Sequence, residues 1–427
     1  MYISIEKAIK KGKGKVSLRG WVYRERGSSK IKFVVLRDSS NIIQCVIEKD
    51  KISEKEWQDA KKLLIESSVE IEGTIKKDER APTGYEINVS KLNVVHFAEK
   101  YPITKDQSEE FLLDVRHLAI RSRKLTSSLK IRSTVMGALH ECLRKKGYIE
   151  AEAPSFNAAT SEGGAEVFKL DYFGRKVFLT QSWQFYAENF IYAFEKVYAM
   201  APSFRAEKSR TNRHLTEFWH CEVEAAWENM DYIIKVAEDC IMYSIKEVLK
   251  NNKTELNVLG VEESHLKNIK IPFPRITYKE AIEILNKKDY KIKYGEDFGV
   301  NEEREIASYY NNFVVVTNYP LELLKFYHGE DPKNPGTGTN FNLMAPGIGE
   351  TVDGSQREPD LNKIVERLKK ANIDLGDSNW YLDSRRYGAV PHSGFGLGTE
   401  RLVQWICKLD TIKDAIPFPR TPTRVYP

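Results

Sequence analysis

The chain has 427 residues, of which 41% are hydrophobic and 30% are charged, and its formal net charge is +5. This length predicts two or three domains, and this composition is typical of a soluble globular protein. No apolar run is long enough to span a bilayer, the first residues lack the apolar core of a signal peptide, and the five cysteines form no CxxC pair. The sequence therefore indicates neither a membrane protein, nor a disulfide framework, nor a zinc site, and a cytoplasmic location is expected.

Positive charge is concentrated at the start of the chain. Residues 1–100 hold 21 Lys and Arg against 15 Asp and Glu, whereas the remaining 327 residues hold 45 against 46. Such an asymmetry favours a polyanionic partner, and a lysine-rich solvated surface is the alternative.

Residues 15–98 are predicted to form a small β-barrel. Two segments, Lys15–Val22 and Ile31–Arg37, alternate in hydrophobicity, three more are strand-like, and the separate segment 53–66 has helical spacing. The strand-like segments are Lys15–Val22, Ile31–Arg37, Asn41–Ile47, Val69–Ile75 and Tyr85–Val89. Five strands with one helix suit an OB-fold, a barrel that commonly binds single-stranded nucleic acid. We therefore predict an OB-fold domain over 1–100 and, from its proline and polar residues, a linker or hinge over 101–126.

Three longer segments are predicted to be helical. Residues 127–146 place Ile131, Val135, Leu139 and Leu143 along one stripe, and Gly147 stands where a left-handed cap is expected. Residues 229–250 and 361–371 have the same character, whereas Tyr148–Pro154 is expected to be extended.

Residues Phe204–Glu224 are predicted to form two strands joined by a cationic loop. In the second strand Phe218, His220, Glu222 and Glu224 share one face, because side chains alternate, and the other face is mainly apolar. Carboxylates two residues apart on one face repel, so a cationic group is expected to meet them.

The loop between these strands is suited to a triphosphate, since guanidinium groups bind phosphate oxygens bidentately. Its cationic or potentially cationic side chains are Arg205, Lys208, Arg210, Arg213 and His214. A charged surface hairpin is the alternative, but it leaves Phe218, whose ring can cover an adenine, without a role.

Residues Gly394–Arg401 are predicted to be a glycine-rich strand that runs into an apolar helix. Its three glycines are expected to let a flat ligand lie against the strand. The spacing is not the GxGxxG of a dinucleotide-binding fold, and the chain contains no P-loop sequence.

Gly349–Arg357 adds acidic and basic groups. Glu350 and Asp353 could hold Mg²⁺, which prefers carboxylates together with phosphate oxygens, and Arg357 could meet a substrate. A polar turn is the alternative.

Taken together, Gly147–Pro154, Phe204–Glu224 and Gly394–Arg401 resemble the three signature motifs of class II aminoacyl-tRNA synthetases. The barrel placed before these motifs and the ending Phe418–Arg424 are similar to the aspartyl, asparaginyl and lysyl subgroup. The resemblance covers nearly the whole chain. It implies an α+β fold in which a five-stranded OB-fold barrel for anticodon binding precedes a class II catalytic domain, over 127–427, of antiparallel β-sheet flanked by helices. It also implies a homodimer through the segment around Pro154.

Within the subgroup the residues most resemble the asparaginyl enzymes. Gln181–Ala187 lacks the lysine with which aspartyl enzymes pair the aspartate side chain, and Glu222 replaces their aspartate. A longer carboxylate can accept hydrogen bonds from a carboxamide NH₂ and repels a second carboxylate. Trp380–Gly394 is also similar to asparaginyl enzymes. The resemblance thus implies ATP-dependent activation of L-asparagine to the adenylate and its transfer to the 3′ end of tRNA(Asn), with ATP and Mg²⁺.

The resemblance also implies a set of site residues. For ATP these are Arg205 at the α-phosphate, Glu207 at the adenine amino group, Arg213 and His214 at the outer phosphates, Phe218 and Arg401 around the adenine, Leu215 and Gly398 beside it, and Glu350 at the metal. For asparagine they are Arg205 at the carboxylate, Glu162 and Gln184 at the α-amino group, Arg357 at the side-chain carbonyl and Glu222 at its NH₂. Asp353 stands where the family usually has a small residue.

The anticodon contacts implied by the subgroup are Phe33 and Gln44, eleven residues apart, with Arg26 close by in sequence. Phe33 would stack on the central uridine and Gln44 would hydrogen-bond it. The alternative is that Phe33 belongs to the barrel core, since Ile31 and Val35 share its face.

Three other functions remain open at this point. The first is an aspartyl enzyme, either discriminating or non-discriminating. The second, an ammonia-dependent asparagine synthetase, is disfavoured by residues 1–100, and the third, a non-catalytic tRNA-binding paralogue, is disfavoured by the intact Arg205, Glu350 and Arg401.

Overall fold

The structure is a computed structural model that describes residues 1–158, 167–207 and 214–427. Two compact units divide the chain, Met1–Leu112 and Leu113–Pro427. Within the described ranges, no helix has the length and apolar character needed to cross a membrane.

The first unit is a closed barrel of five strands, which confirms the predicted OB-fold. Its elements are α1 (Ile5–Lys11), β1 (Gly14–Gly27), β2 (Ile31–Arg37), β3 (Ile42–Glu48), α2 (Glu54–Lys62), β4 (Ser68–Lys77) and β5 (Tyr85–His96), with a short 3₁₀ turn at Lys49–Lys51. The strand order is β1-β2-β3-β5-β4, in which β3 and β5 run parallel and the other neighbours antiparallel. Ser53 and Glu56 form a capping box that starts α2 directly after β3 and its turn.

The segment predicted as a linker, residues 101–126, contains helices in its second half. These are α3 (Glu109–Asp114), α4 (Arg116–Ala119) and the start of α5 (Arg123–Lys145). The buried Arg116 donates to the carbonyls of Lys413, Ile416 and Pro417 and pairs with Asp414 at 3.1 Å. Because a buried guanidinium needs all of these acceptors, the chain from Leu113 onward packs as part of the second unit.

The second unit is built on a sheet of eight strands, which lie in the order β12 (Arg275–Thr277), β13 (Val314–Thr317), β14 (Asn340–Ala345), β15 (Gly349–Gln356), β16 (His392–Gly398), β11 (Glu217–Ala226), β10 (Lys196–Phe204) and β6 (Ile149–Glu150). Its pairs are antiparallel except β6 with β10 and β12 with β13, so the predicted antiparallel sheet flanked by helices is present with two parallel pairs at its edges. A separate three-stranded sheet has the order β7 (Phe156–Asn157), β9 (Arg175–Leu179) and β8 (Lys169–Tyr172).

The elements of this unit after α5 are β6 (Ile149–Glu150), β7 (Phe156–Asn157), β8 (Lys169–Tyr172), β9 (Arg175–Leu179), α6 (Gln184–Phe194), β10 (Lys196–Phe204), β11 (Glu217–Ala226), α7 (Met230–Asn251), α8 (Lys253–Leu259), α9 (Glu263–Lys267), β12 (Arg275–Thr277), α10 (Tyr278–Asn286), α11 (Val300–Tyr310), β13 (Val314–Thr317), β14 (Asn340–Ala345), β15 (Gly349–Gln356), α12 (Leu361–Lys370), α13 (Asp383–Arg386), β16 (His392–Gly398) and α14 (Thr399–Cys407). Short 3₁₀ segments occur at Leu321–Leu323, Gly376–Leu382 and Ile412–Ala415.

The main core lies between this sheet and helices α5, α7 and α14. Leu139 of α5, Ile241 of α7 and Ile406 of α14 pack with the strand residues Val352 and Phe395. Helix α5 begins four residues earlier than predicted, because Ser122 caps it, and Gly147 after it has φ +81°, the left-handed conformation expected there. One face of the sheet is thus buried under helices, and the other is left to form a site.

Candidate active site

A cavity of about 420 Å³ lies in the second unit, on the sheet face formed by β11, β15 and β16. Strand alternation produces it. Phe218, His220 and Glu222 of β11 line the cavity, whereas Cys221 and Ala225 of the same strand lie in the hydrophobic core.

Most residues predicted for ATP and asparagine meet in this cavity. Its walls include Gln184, Arg205, Glu207, His214, Leu215, Phe218, Glu222, Glu350, Asp353, Arg357, Gly398 and Arg401. The predicted Glu162 and Arg213, with Lys208 and Arg210, lie outside the described residues. The predicted anticodon residues Arg26, Phe33 and Gln44 belong to the barrel unit.

Arg205 and Phe218 lie side by side at one end of the cavity. Arg205 follows the last residue of β10, and its guanidinium lies 5.5 Å from the centre of the Phe218 ring. Phe218 in turn packs edge-on against His220, with ring centres 4.7 Å apart. An aromatic face next to a cation is suited to a flat, negatively charged ligand.

His220 is held neutral by its surroundings. Burial, together with the positive charges of Arg205 and Arg401, lowers its pKa well below the usual value. Its Nδ1 lies 3.0 Å from the hydroxyl of Ser203. Ser203 is on β10, where it pairs with Phe218 of β11. The sequence placed His220 on the correct face but gave it no role.

Glu350 and Asp353 reach the same cavity because of a β-bulge. β15 pairs Glu350 with Met344 and Val352 with Leu343, so Thr351 is an extra residue in the ladder. Residues three apart therefore share a face, and Val352 between them points into the core.

Glu350 is tied to Arg401 at the start of α14. Arg401 Nη1 donates to the Glu350 carbonyl at 2.8 Å and to its Oε1 at 3.0 Å, while Asn342 donates to Oε2 at 3.0 Å. Helix α14 begins at Thr399, two residues before Arg401. The strand β16 and its helix thus deliver a guanidinium directly beside a carboxylate of the cavity.

Glu222 is fixed at the other end of the cavity. It is 6% exposed, and its carboxylate accepts hydrogen bonds from the Ser182 hydroxyl and, at 2.7 Å, from the backbone N–H of Trp183. These donors come from the segment before α6, whose first residue is Gln184. The carboxylate is therefore held in one orientation at the wall.

Arg357 supplies the positive charge expected opposite the β11 carboxylates. Its Nη2 and Nε lie 2.9 and 3.2 Å from the oxygens of Glu224, and its Nη1 donates to the Ser355 hydroxyl at 3.0 Å. Burial opposes the charge on Arg357, but the Glu224 carboxylate outweighs it and raises the pKa of the guanidinium. The sequence predicted the need for a cation but not this partner, which is 133 residues away.

The three glycines of β16 have different roles, which corrects the expectation that all of them make room for a flat ligand. A Cβ on Gly394 would lie 1.9 Å from Glu224 Oε2 and 2.4 Å from the Val223 carbonyl, so this glycine makes room for the Glu224 carboxylate. Gly396 and Gly398 line the cavity itself.

On the barrel, Phe33 is half-buried on the outer face of β2, while Val34 and Leu36 belong to the core. The alternative that Phe33 is a core residue is therefore wrong. The Arg26 guanidinium lies 5.1 Å from the centre of the Phe33 ring, and Gln44 donates to Glu86 at 2.9 Å. A half-buried ring on the outer face of the barrel, beside a guanidinium, is suited to stacking on a base.

Comparisons with known proteins match both units. The family model for class II tRNA synthetases (D, K and N) matches residues 108–422, and the model for the OB-fold nucleic acid binding domain matches residues 16–95. An asparagine–tRNA ligase of Thermoplasma acidophilum is 49% identical over 97% of this chain and 96% of its own length.

Solved structures of synthetases are also similar to this chain. The crystal structure of asparaginyl-tRNA synthetase from Pyrococcus horikoshii, complexed with asparaginyl-adenylate, has a TM-score of 0.95 and 44% identity and covers all of both chains. An aspartyl-tRNA synthetase from Entamoeba histolytica has a TM-score of 0.86 and 26% identity, over 100% of this chain and 93% of its own.

Proposed function

This chain belongs to the class II tRNA synthetases of the D, K and N group, and we infer that it is an asparagine–tRNA ligase. It activates L-asparagine with ATP to asparaginyl-adenylate and transfers the asparaginyl group to tRNA. The observation that carries this conclusion is the near full-length match to asparagine–tRNA ligases and to a structure complexed with asparaginyl-adenylate. The finer assignments below are our proposals.

At the nucleotide end of the cavity, Phe218 and Arg401 enclose the adenine and Glu207 accepts a hydrogen bond from its amino group. Leu215 and Gly398 complete the walls around it. The contact of Arg205 with Phe218 supports this assignment, because a guanidinium 5.5 Å from the ring centre is available to the phosphates of a nucleotide bound beside that ring. Arg213 and His214 bind the outer phosphates.

At the amino-acid end, Arg205 binds the substrate carboxylate, and Gln184 and Glu162 bind the α-ammonium. Glu222 accepts a hydrogen bond from the carboxamide NH₂, and Arg357 lies toward the carboxamide carbonyl. Because Glu224 already neutralises Arg357, a substrate carboxylate gains little from it and is repelled by Glu222. This charge pattern supports asparagine over aspartate.

The catalytic step needs no protein nucleophile. The asparagine carboxylate attacks the α-phosphorus in line and pyrophosphate leaves; the 3′-terminal ribose hydroxyl of tRNA then attacks the adenylate carbonyl and AMP leaves. Arg205 contributes by holding both reacting groups and by balancing the charge that develops on the phosphorus oxygens.

Glu350 and Asp353 fit Mg²⁺ binding. Among the residues that the structure describes, no three His, Cys, Asp or Glu side chains come together as a complete metal site. Mg²⁺ requires less, since one or two carboxylates suffice when phosphate oxygens and water supply the other ligands. When bound, the ion would neutralise phosphate charge beside Arg401.

The barrel is proposed to read the tRNA anticodon through Phe33, Arg26 and Gln44. We also propose a homodimer through the segment around Pro154, where Ile149 and Phe156 are 46% and 51% exposed apolar side chains that a second copy would cover. We place the enzyme in the cytoplasm, in keeping with five buried free cysteines.

The function is tested by ATP–pyrophosphate exchange with asparagine and with aspartate. We expect exchange with asparagine, and Arg205→Ala should lower it by about 100- to 1000-fold because it removes the charge at the reacting phosphate. Lys250→Ala, which removes an exposed cation from the end of α7, is the control and should keep full activity. Exchange with aspartate in place of asparagine would instead indicate an aspartyl enzyme.

A further inference from the structure

A buried polar cluster lies directly behind the amino-acid end of the cavity. The side chains of Glu188, Arg385 and His392 are 0% exposed, and so is Tyr381. Glu188 lies one turn after Gln184 on α6, so the two face the same side of the helix. Gln184 lines the cavity and Glu188 stands behind it.

The two oxygens of Glu188 have different partners. Oε1 accepts a hydrogen bond from Nε2 of Gln184 at 2.8 Å. Oε2 accepts from the Tyr381 hydroxyl at 2.9 Å and from the Arg385 guanidinium, and it lies 3.0 Å from Nε2 of His392. One carboxylate oxygen is thus anchored in the protein interior, and the other is directed at the cavity wall.

Glu188 is ionised in this setting. Burial opposes its negative charge, but the guanidinium of Arg385 and the hydrogen bond from His392 outweigh burial and lower the pKa of the carboxyl well below its usual range. An ionised carboxylate can only accept hydrogen bonds. The amide of Gln184 must therefore turn its NH₂ toward Glu188.

The orientation of that amide matters because its two ends have opposite character. With its NH₂ directed at Glu188, the Gln184 carbonyl oxygen is the end left for the cavity. An α-ammonium group has only donors, so it binds a carbonyl oxygen and is repelled by an NH₂. Glu188 thereby decides which end of Gln184 a substrate meets.

We propose that Glu188 is a positioning residue for asparagine, which fixes the Gln184 carbonyl toward the substrate α-ammonium without touching the substrate. This inference rests on the proposed function, in which Gln184 binds that ammonium. The proposed site thus includes Glu188, which does not line the cavity.

Glu188→Gln should invert the orientation. The new amide keeps its carbonyl toward the donors of Arg385 and Tyr381, so its NH₂ faces Gln184. The Gln184 carbonyl must then accept the hydrogen bond from this NH₂, so the NH₂ of Gln184 faces the cavity. Since hydrogen bonds to charged groups are worth about 1.5–3 kcal/mol, we expect the KM for asparagine in pyrophosphate exchange to rise on the order of 10- to 100-fold.

A competitor that lacks the ammonium separates orientation from general damage. Succinamic acid is asparagine without its α-amino group, so it does not depend on the orientation of Gln184. Its inhibition constant for Glu188→Gln should therefore stay within about threefold of the wild-type value. A parallel loss of succinamic acid and asparagine binding would overturn the proposal, because it would show that the whole pocket has changed.

The reciprocal exchange Gln184→Glu with Glu188→Gln provides the rescue. In the double variant the amide at 188 donates to the carboxylate at 184, whose second oxygen faces the ammonium. Gln184→Glu alone sets two carboxylates against each other and should also raise the KM. We expect the double variant to bind asparagine better than either single variant, whereas additive losses would overturn the proposal.

The same variants also control for a loss of stability. Glu188→Gln and the double variant both lack the carboxylate opposite Arg385, so any difference in KM between them reports orientation. If Glu188→Gln does not fold, Glu188→Asp decides, because it keeps the charge but withdraws it from Gln184: a raised KM for asparagine with unchanged inhibition by succinamic acid supports the proposal, and an unchanged KM contradicts it. Absence of asparagine-dependent exchange in the wild type would instead reject the proposed function.

Discussion

Glu224→Gln removes the negative charge opposite Arg357 while it keeps the shape of the side chain. The side chains of Arg357 and Glu224 are 6% and 1% exposed, so water compensates little for the lost partner. Removing one member of a buried ion pair costs about 3–5 kcal/mol, because the other charge is left uncompensated. Glu188 also favours the charged form of Arg357, so we expect the lower end of this range, about 3 kcal/mol.

Calorimetry measures this change in the free energy of unfolding. For a unit the size of Leu113–Pro427, a loss of about 3 kcal/mol lowers the melting temperature by roughly 4–5 °C. Glu217→Gln, at the start of the same strand, is the matched control and should shift it by less than about 1 °C. A shift as small in Glu224→Gln would refute the assignment of Arg357 to a buried pair that depends on Glu224.

Two further predictions concern acid stability and tRNA. Burial, reinforced by the charge of Arg357, lowers the pKa of His328 to about 3. Because the unfolded chain takes up a proton below a pH of about 6.5 and the folded chain does not, this residue alone should cost the wild type about 2 kcal/mol of unfolding free energy between about pH 7 and pH 5. His328→Gln should lose that much less in urea titrations at the two pH values, and equal losses would show that His328 titrates normally in the folded state. Phe33→Ala should weaken tRNA binding by about 1–3 kcal/mol in a filter-binding assay while asparagine-dependent exchange is unchanged, because only base stacking is lost. Trp21→Ala, which removes a 46% exposed aromatic side chain from the barrel, is its control, and equal losses in both variants would argue against a specific role for Phe33.

The sequence was most informative where hydrophobic and polar side chains alternate strictly along a strand. The alternation along β11 correctly separated Phe218, His220 and Glu222 from the core residues Cys221 and Ala225. The barrel followed in part for the same reason, since side-chain burial alternates along β1, β2 and β4. These predictions needed only local chemistry and no knowledge of which segments pair.

Contacts that depend on which strands pair, and in which register, could not be predicted from the sequence. Glu224 meets Arg357 only because β11, β16 and β15 are neighbours in the sheet, and Gly394 between them leaves the space for that carboxylate. The bulge at Thr351 likewise has no local signature, although it decides that Glu350 and Asp353 share a face. Arg116 looked like part of a polar linker, because its acceptors lie about three hundred residues later in the chain.

A crystal structure with asparagine and a non-hydrolysable ATP analogue tests the assignment of the cavity most directly. We expect the adenine between Phe218 and Arg401, and the carboxamide nitrogen of asparagine within about 3 Å of a Glu222 oxygen. A nucleotide bound away from Arg205 and Arg401, or a carboxamide turned away from Glu222, would contradict the account.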